Sequence, residues 1–323
     1  MKGSHSRWIA FGSSLLLFAA IIFILRREHG LATLVDIWRR TDRSAFFLGI
    51  AIMLGVHVAA AWRIKIIMNA EQNAASLRSL FRIQLISQFV AHGAPISALA
   101  DLARAAMIKL RFNLAVGQSV RIVFYERICG ALGAVICGIF ALVVQLFVVP
   151  VSHSLLLAQS ILWTAGTLGT AVLIAISRLH FKTGIELLDR IARAVLGVGH
   201  LLVRPRIAFS LTLASVVQVF GMALVFIVLA AGMHIDASAL RIMLFMPLIF
   251  FVSSLPIFYL GWGAREAIVI ATIGQSAGTT AAEAVAISVA FGVIVFVTSL
   301  PGAVFWLMRP SMRKAVQVEV AAN

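Results

Sequence analysis

Three pairs of charged residues stand in stretches that are otherwise apolar: Asp101 with Arg104, Glu126 with Arg127, and Arg265 with Glu266. An ionisable group at the centre of a bilayer costs about 2.5–3.5 kcal/mol on insertion scales, so such groups face a polar cavity or one another. Two chemistries are open to them. Arginines could hold a phosphate, whose oxygens match the paired donors of a planar guanidinium. Alternatively, Asp101, Glu126, Glu266 and His92 could supply acid–base chemistry. Asp101 and Arg104 are i,i+3 and can meet on one helix face. Glu126 and Arg127 are adjacent, so they point apart and seek different partners; Arg265 and Glu266 are adjacent too. One arrangement pairs Asp101 with Arg127 or Arg265 and leaves another cation for a phosphate. The alternative for each charge is a solvated helix end.

Other site chemistry finds less support. The eight histidines show no HExxH spacing, and neither a nucleophile elbow nor a nucleotide-binding P-loop occurs. Cys129 and Cys137 fall in one apolar run, where small packing residues are expected rather than a disulfide or zinc site. No cofactor or metal is expected.

Two interrupted regions must position the charges. In 80–110 the apolar run is broken by Gln84, Ser87, Gln88, His92, Gly93 and Pro95; in 242–275 it is broken by Pro247, Ser253-Ser254, Pro256, Gly261 and Gly263. Proline removes a backbone donor and disfavours helix in the residue before it. Backbone freed in this way inside a membrane is tolerated only against protein or a watery cavity. Gly/Pro-interrupted segments in corresponding positions of two halves point to a transporter's binding site. The expectation is two re-entrant helical hairpins, with two short or kinked ordinary spans in each region as the alternative. The candidate substrate-binding set is Gln88, Pro95, Asp101, Arg104, Glu126, Arg127, Pro256, Gly261, Gly263, Arg265 and Glu266.

The remaining sequence gives the frame. Sixty-two per cent of residues are hydrophobic, only 12% are charged, and the mean hydropathy is +1.04. A soluble fold could not cover that much apolar surface. Barrel strands would alternate with period two, whereas 207–231 is apolar on nearly every face. The fold class is therefore an all-α integral membrane protein, a polytopic helical bundle of about eight apolar segments. Six full spans are expected, at 8–25, 44–62, 122–149, 155–177, 207–231 and 281–308, with the two broken segments between them. The first is read as uncleaved, since Arg26-Arg27-Glu28 follows it and no small-x-small site does.

The chain carries 27 Lys and Arg against 12 Asp and Glu, a net charge of +15. Most basic residues lie between hydrophobic runs, as in cytoplasmic loops, which excludes nucleic acid as the reason for the charge. Such loops favour anionic lipid headgroups. The whole of 1–323 reads as one domain, with halves 1–177 and 207–308 joined by a basic, amphipathic connection at 178–206. The connection is expected to lie as a helix in the membrane interface or to act as an ordinary linker. The basic residues Arg309, Arg313 and Lys314 put the C-terminus in the cytoplasm, and six spans put the N-terminus there as well. The loop 26–43, with five arginines, then falls outside.

At these residues the chain resembles the flippase-like transmembrane family of lysylphosphatidylglycerol synthases, over nearly its whole length. The matching pieces are Trp62-Arg63, Pro95 followed by Asp101-x-x-Arg104, Glu126-Arg127, and Pro256 with Gly261-Trp262-Gly263-Ala264-Arg265-Glu266. The family's asparagine-rich turn before its first aspartate is replaced by His92-Gly93-Ala94-Pro95. The resemblance implies lipid translocation or lipid handling in a bacterial inner membrane. With Asn323 the last residue, no aminoacyl-transferase domain is expected, so lipid synthesis is not carried over. Expected partners are membrane lipids with phosphate-bearing headgroups and enzymes of lipid biosynthesis. Three functions follow: a lipid or lipid-linked-intermediate flippase first, then a headgroup-modifying membrane enzyme, then a non-catalytic scaffold.

Overall fold

The computed structural model describes residues 30–93, 97–177, 186–254, 263–274 and 279–308, and the regular structure among them is entirely helical. Eleven helices follow in order: α1 (Gly30–Arg40), α2 (Arg43–Ala70), α3 (Leu77–Gly93), α4 (Ser97–Phe112), α5 (Val116–Val148), α6 (His153–Ser177), α7 (Glu186–Val203), α8 (Pro205–Gly232), α9 (Ala239–Ser254), α10 (Ala264–Thr272) and α11 (Ala281–Leu307). Five of them, α2, α5, α6, α8 and α11, are long and apolar enough to cross a bilayer. They match five of the six expected spans. The sixth, at 8–25, lies outside the described residues, as does the basic stretch 309–323. The chain is thus a polytopic helical membrane protein.

The frame is an antiparallel pair, α2 against α8. At one end the Asp42 amide donates to the Gly232 carbonyl at 2.8 Å. Gly232 lies against Ala45, and a Cβ on Gly221 would come 2.6 Å from Val56 Cγ2. Lipid gives helices no hydrophobic reason to associate, so small residues that admit close backbone approach take over that role. Side-chain amides tie further helices on. Gln159 of α6 donates to Gln145 of α5 at 3.0 Å, and Gln145 donates to the Leu244 carbonyl of α9 at 3.0 Å.

Both interrupted regions fold as helical hairpins. Arg121 at the start of α5 bonds Glu71 beyond the end of α2 at 2.7 Å, which fixes an Ala70 end of the bundle. Ser79, early in α3, and Arg111, late in α4, meet there at 3.4 Å, so this hairpin returns to the end it entered. The second enters from the Gly232 end. Arg241 at the start of α9 donates to the Thr272 carbonyl at the end of α10 at 2.7 Å. The four helices have 17, 16, 16 and 9 residues. At ~1.5 Å per residue none reaches the ~30 Å of a hydrocarbon core.

Two expectations need correction. Pro247 does not interrupt the second region, because α9 runs through it as far as Ser254. Ser253 and Ser254 satisfy their hydroxyls on the Ile249 and Phe251 carbonyls at 2.6 and 2.8 Å, and proline removes only one bond from the ladder. The breaks themselves, with Pro95, Pro256 and Gly261, lie outside the described residues. The stretch 26–43, expected as a loop, holds α1, which turns Leu34 and Ile37 onto the core and leaves Val35 and Trp38 exposed. In the 178–206 connection, α7 buries Val198 and Leu201 and sets Gly197 against the Tyr125 hydroxyl; residues 178–185 lie outside the description.

Candidate functional site

Two charged centres lie inside the bundle, one at each hairpin. At the first, Glu126 of α5 is 4% exposed and has both oxygens engaged. Oε1 accepts from Arg63 Nη2 of α2, and Oε2 accepts from Arg104 Nη1 of α4 at 3.0 Å. Arg104 also donates from Nε to Ser87 Oγ at 3.1 Å, so the two helices of the hairpin are joined through it. Arg63 reaches across to α8, donating from Nη1 to Gln218 Oε1 at 2.6 Å and Ser215 Oγ at 3.3 Å. Its Nε has no hydrogen-bond partner among the described residues. The flat guanidinium rests on Gly130, where an added Cβ would stand 3.1 Å from Nη2.

One residue along α5, Arg127 makes a bidentate pair with Asp101 at 2.8 and 3.0 Å. This pair is partly exposed, 39% for the arginine side chain and 23% for the aspartate. The group as a whole holds three guanidiniums and two carboxylates. It therefore carries one excess positive charge, and both partners of Glu126 are buried.

The second centre is built around the start of α10. Gly263 has φ 83°, a left-handed conformation that glycine adopts without a Cβ penalty, and its amide donates to Glu266 Oε2 at 2.6 Å. This is half of a capping box at the start of α10. It holds the Glu266 carboxylate so that Oε1 can accept from Arg265 Nη2 at 2.7 Å and from Ser288 Oγ of α11 at 2.8 Å. Arg265 lies over the Phe291 ring at 5.5 Å. Between the centres are two histidines. His57 bonds Thr298 at 3.2 Å, and His92 bonds the Gln88 carbonyl at 2.8 Å and meets Phe296 edge-on at 5.2 Å. His57 is within electrostatic reach of Arg104 and His92, and His92 of Arg265.

The structure thus brings Arg104, Glu126, Asp101 and Arg127 together, and it pairs Arg265 with Glu266. The i,i+3 contact of Asp101 with Arg104 is not made. Arg104 turns inward to Glu126, while Asp101 takes Arg127, one of its two anticipated partners. Glu126 and Arg127 do point apart. Arg265 and Glu266 do not, because the helix start draws Glu266 back and the Arg265 side chain folds across to it. Gln88 contributes its carbonyl to His92, and Gly263 contributes its backbone.

Sequence reasoning missed Arg63 as a site residue. A cation closing an apolar run reads as a residue that snorkels to the interface. Here α2 continues to Ala70, and Arg63 stays 4% exposed. The available signal was the run Ile64, Ile66, Ile67 and Met68 beyond it. Ser215 and Gln218, its partners on α8, were not singled out either.

Every oxygen of Asp101, Glu126 and Glu266 is engaged by a donor. Among the described residues no three His, Cys, Asp or Glu side chains group as metal ligands would. The centres are suited to holding charge in place and to offering guanidinium donors in a dry setting.

Comparison of the sequence with curated proteins returned no match. The family profile described as the lysylphosphatidylglycerol synthase TM region matches residues 11–302, which include both hairpins, both charged centres and all five long helices but the last turns of α11. On that match the chain belongs to the family of lysylphosphatidylglycerol synthase transmembrane regions.

Proposed function

We propose that the protein is a flippase for phospholipids or lipid-linked intermediates, with arginines of the first hairpin engaging the headgroup phosphate and the chains remaining in the bilayer. The observation that carries this reading is the excess positive charge of the Arg63–Arg104–Glu126 group. A surplus guanidinium at membrane depth is costly, and a phosphate that enters the group relieves the cost. Such a site attracts an anion and releases it by returning Arg104 to Glu126. Hairpins entering from opposite ends fit alternating access to a mid-depth site.

The side-to-side charge distribution supports an orientation. Arg78, Arg82, Lys109, Arg111, Arg121, Arg204 and Arg206 belong to the Ala70 end with Glu71, whereas the other end carries Arg39, Arg40, Arg43 and Arg241 with Asp36, Asp42, Asp236 and Glu283. By the positive-inside rule the Ala70 end, and with it the end of α11, faces the cytoplasm of a bacterial inner membrane.

Proteoliposomes carrying fluorescent phospholipids test the reading. The wild type should expose inner-leaflet lipid to a quencher faster than empty vesicles, and Arg104→Gln should slow this at least tenfold. Rates equal to empty vesicles for every headgroup, with folded protein, would overturn it.

A further inference from the structure

At the Ala70 end, two helical turns from the buried centre, the same hairpin forms a second and shallower basic site. A cavity of about 190 Å³ opens there between α3, α4 and the end of α11. Arg82 and Arg111 stand on its polar side with Ser79; Ile86, Phe305 and Met308 form its apolar side. Neither arginine has a carboxylate partner among the described residues. Arg82 lies over the Phe305 ring at 5.5 Å, and Arg111 reaches Ser79 Oγ at 3.4 Å.

The arrangement is built by close packing. A Cβ on Gly302 would collide with the Leu85 backbone, so α11 and α3 touch main chain to main chain. The helices run antiparallel, and three residues onward from that contact Phe305 comes beside Arg82. The ring therefore fixes the plane of the guanidinium and spares it much of the entropy a free arginine would lose on binding.

We infer that this cavity binds the phosphate of an anionic membrane phospholipid. One observation chooses a lipid over a free anion. The apolar wall is continuous with the outer face of α11, where Val304, Leu307 and Met308 are 55%, 65% and 71% exposed, as a lipid-facing surface requires. The cavity, about 190 Å³, has room for a phosphate, and the chains stay outside in the bilayer. Positive charge meets the headgroup and the apolar wall meets the first methylenes. The inference concerns binding and does not depend on transport.

The test uses the full-length chain in detergent, titrated with dioctanoyl phosphatidylglycerol and followed by thermophoresis. Arg82→Gln combined with Arg111→Gln should weaken binding at least tenfold, and the exposed Arg111→Gln alone should weaken it severalfold. Arg78→Gln, which removes a charge from the same end outside the cavity, should change it less than twofold. Inorganic phosphate at matched concentration should fail to displace the lipid. Thermal unfolding checks each variant; if the double variant does not fold, Arg111→Gln alone decides. Unchanged affinity in the cavity variants, an equal loss with Arg78→Gln, or full displacement by inorganic phosphate would each overturn the inference. The transport reading is judged by flip rates in vesicles and this inference by the effect of the cavity variants on lipid affinity in detergent, so each fails on its own readout.

Discussion

Removing the Glu126 carboxylate tests whether the first centre is organised around it. In Glu126→Gln the buried arginines Arg63 and Arg104 lose their shared counter-charge, and the introduced amide turns donors toward donors. Breaking a buried ion pair from one side costs about 3–5 kcal/mol, because an uncompensated charge is left behind. Two guanidiniums are stranded here, so the upper part of that range is expected. At roughly 2–4 °C per kcal/mol, Tm should fall by at least about 8 °C. Asp101→Asn is the comparison: its pair with Arg127 is partly exposed, so screening limits the cost to about 1 kcal/mol. Unfolding of the purified protein can be followed through tryptophan emission, for which Trp163, 1% exposed, is a buried reporter. Adding Arg104→Gln to Glu126→Gln restores the original net charge and should recover part of the loss, a non-additivity that independent residues would not show. If Glu126→Gln is no worse than Asp101→Asn, or if the two changes simply add, the carboxylate does not organise the centre.

Two further outcomes follow from the geometry. Gly263→Ala forces a Cβ into a left-handed conformation at a cost of about 1–2 kcal/mol. It should lower Tm by a few degrees and also misplace Glu266, so that loss of function exceeds what Ser288→Ala produces. Single cysteines at the exposed positions Ser76 and Asp236 should react with an impermeant reagent from opposite sides of the membrane, while the buried Cys129 and Cys137 stay slow. Labelling of both new cysteines from one side would refute the proposed sidedness.

Much of the architecture was legible because the bilayer imposes it: long apolar runs had to be helices, and their charges had to be satisfied within the protein. The second hairpin was legible in part from Gly263, whose left-handed conformation opens α10, while the breaks at Pro95 and Pro256 lie outside the described residues. Less legible was where each helix ended. Pro247 looked like a breaker, yet α9 carries it, and residue 62 looked like a terminus, yet α2 extends to Ala70. Boundaries depend on tertiary partners that a hydropathy reading does not contain. The pairings were only half legible for the same reason. An i,i+3 spacing says that Asp101 and Arg104 can meet, but the partners waiting on α5 decide that they do not. Arg63 illustrates the limit most clearly, since its guanidinium packs against Gly130, which lies 67 residues away in sequence.

The ion pairs between the first hairpin and α5 also bear on how the protein enters the membrane during synthesis. Helix α4 carries the partly exposed Asp101 and the buried Arg104, the latter at ~2.5–3.5 kcal/mol in the apolar layer, and both partners, Arg127 and Glu126, lie on a helix made later. When α3 and α4 leave the ribosome nothing is present to neutralise Asp101, and Arg104 finds only Ser87. The hairpin must therefore wait at the membrane surface and sink as α5 crosses, so this part of the bundle assembles out of chain order. A nascent chain arrested before α5 should leave residues 77–112 accessible to protease on the side where they were made.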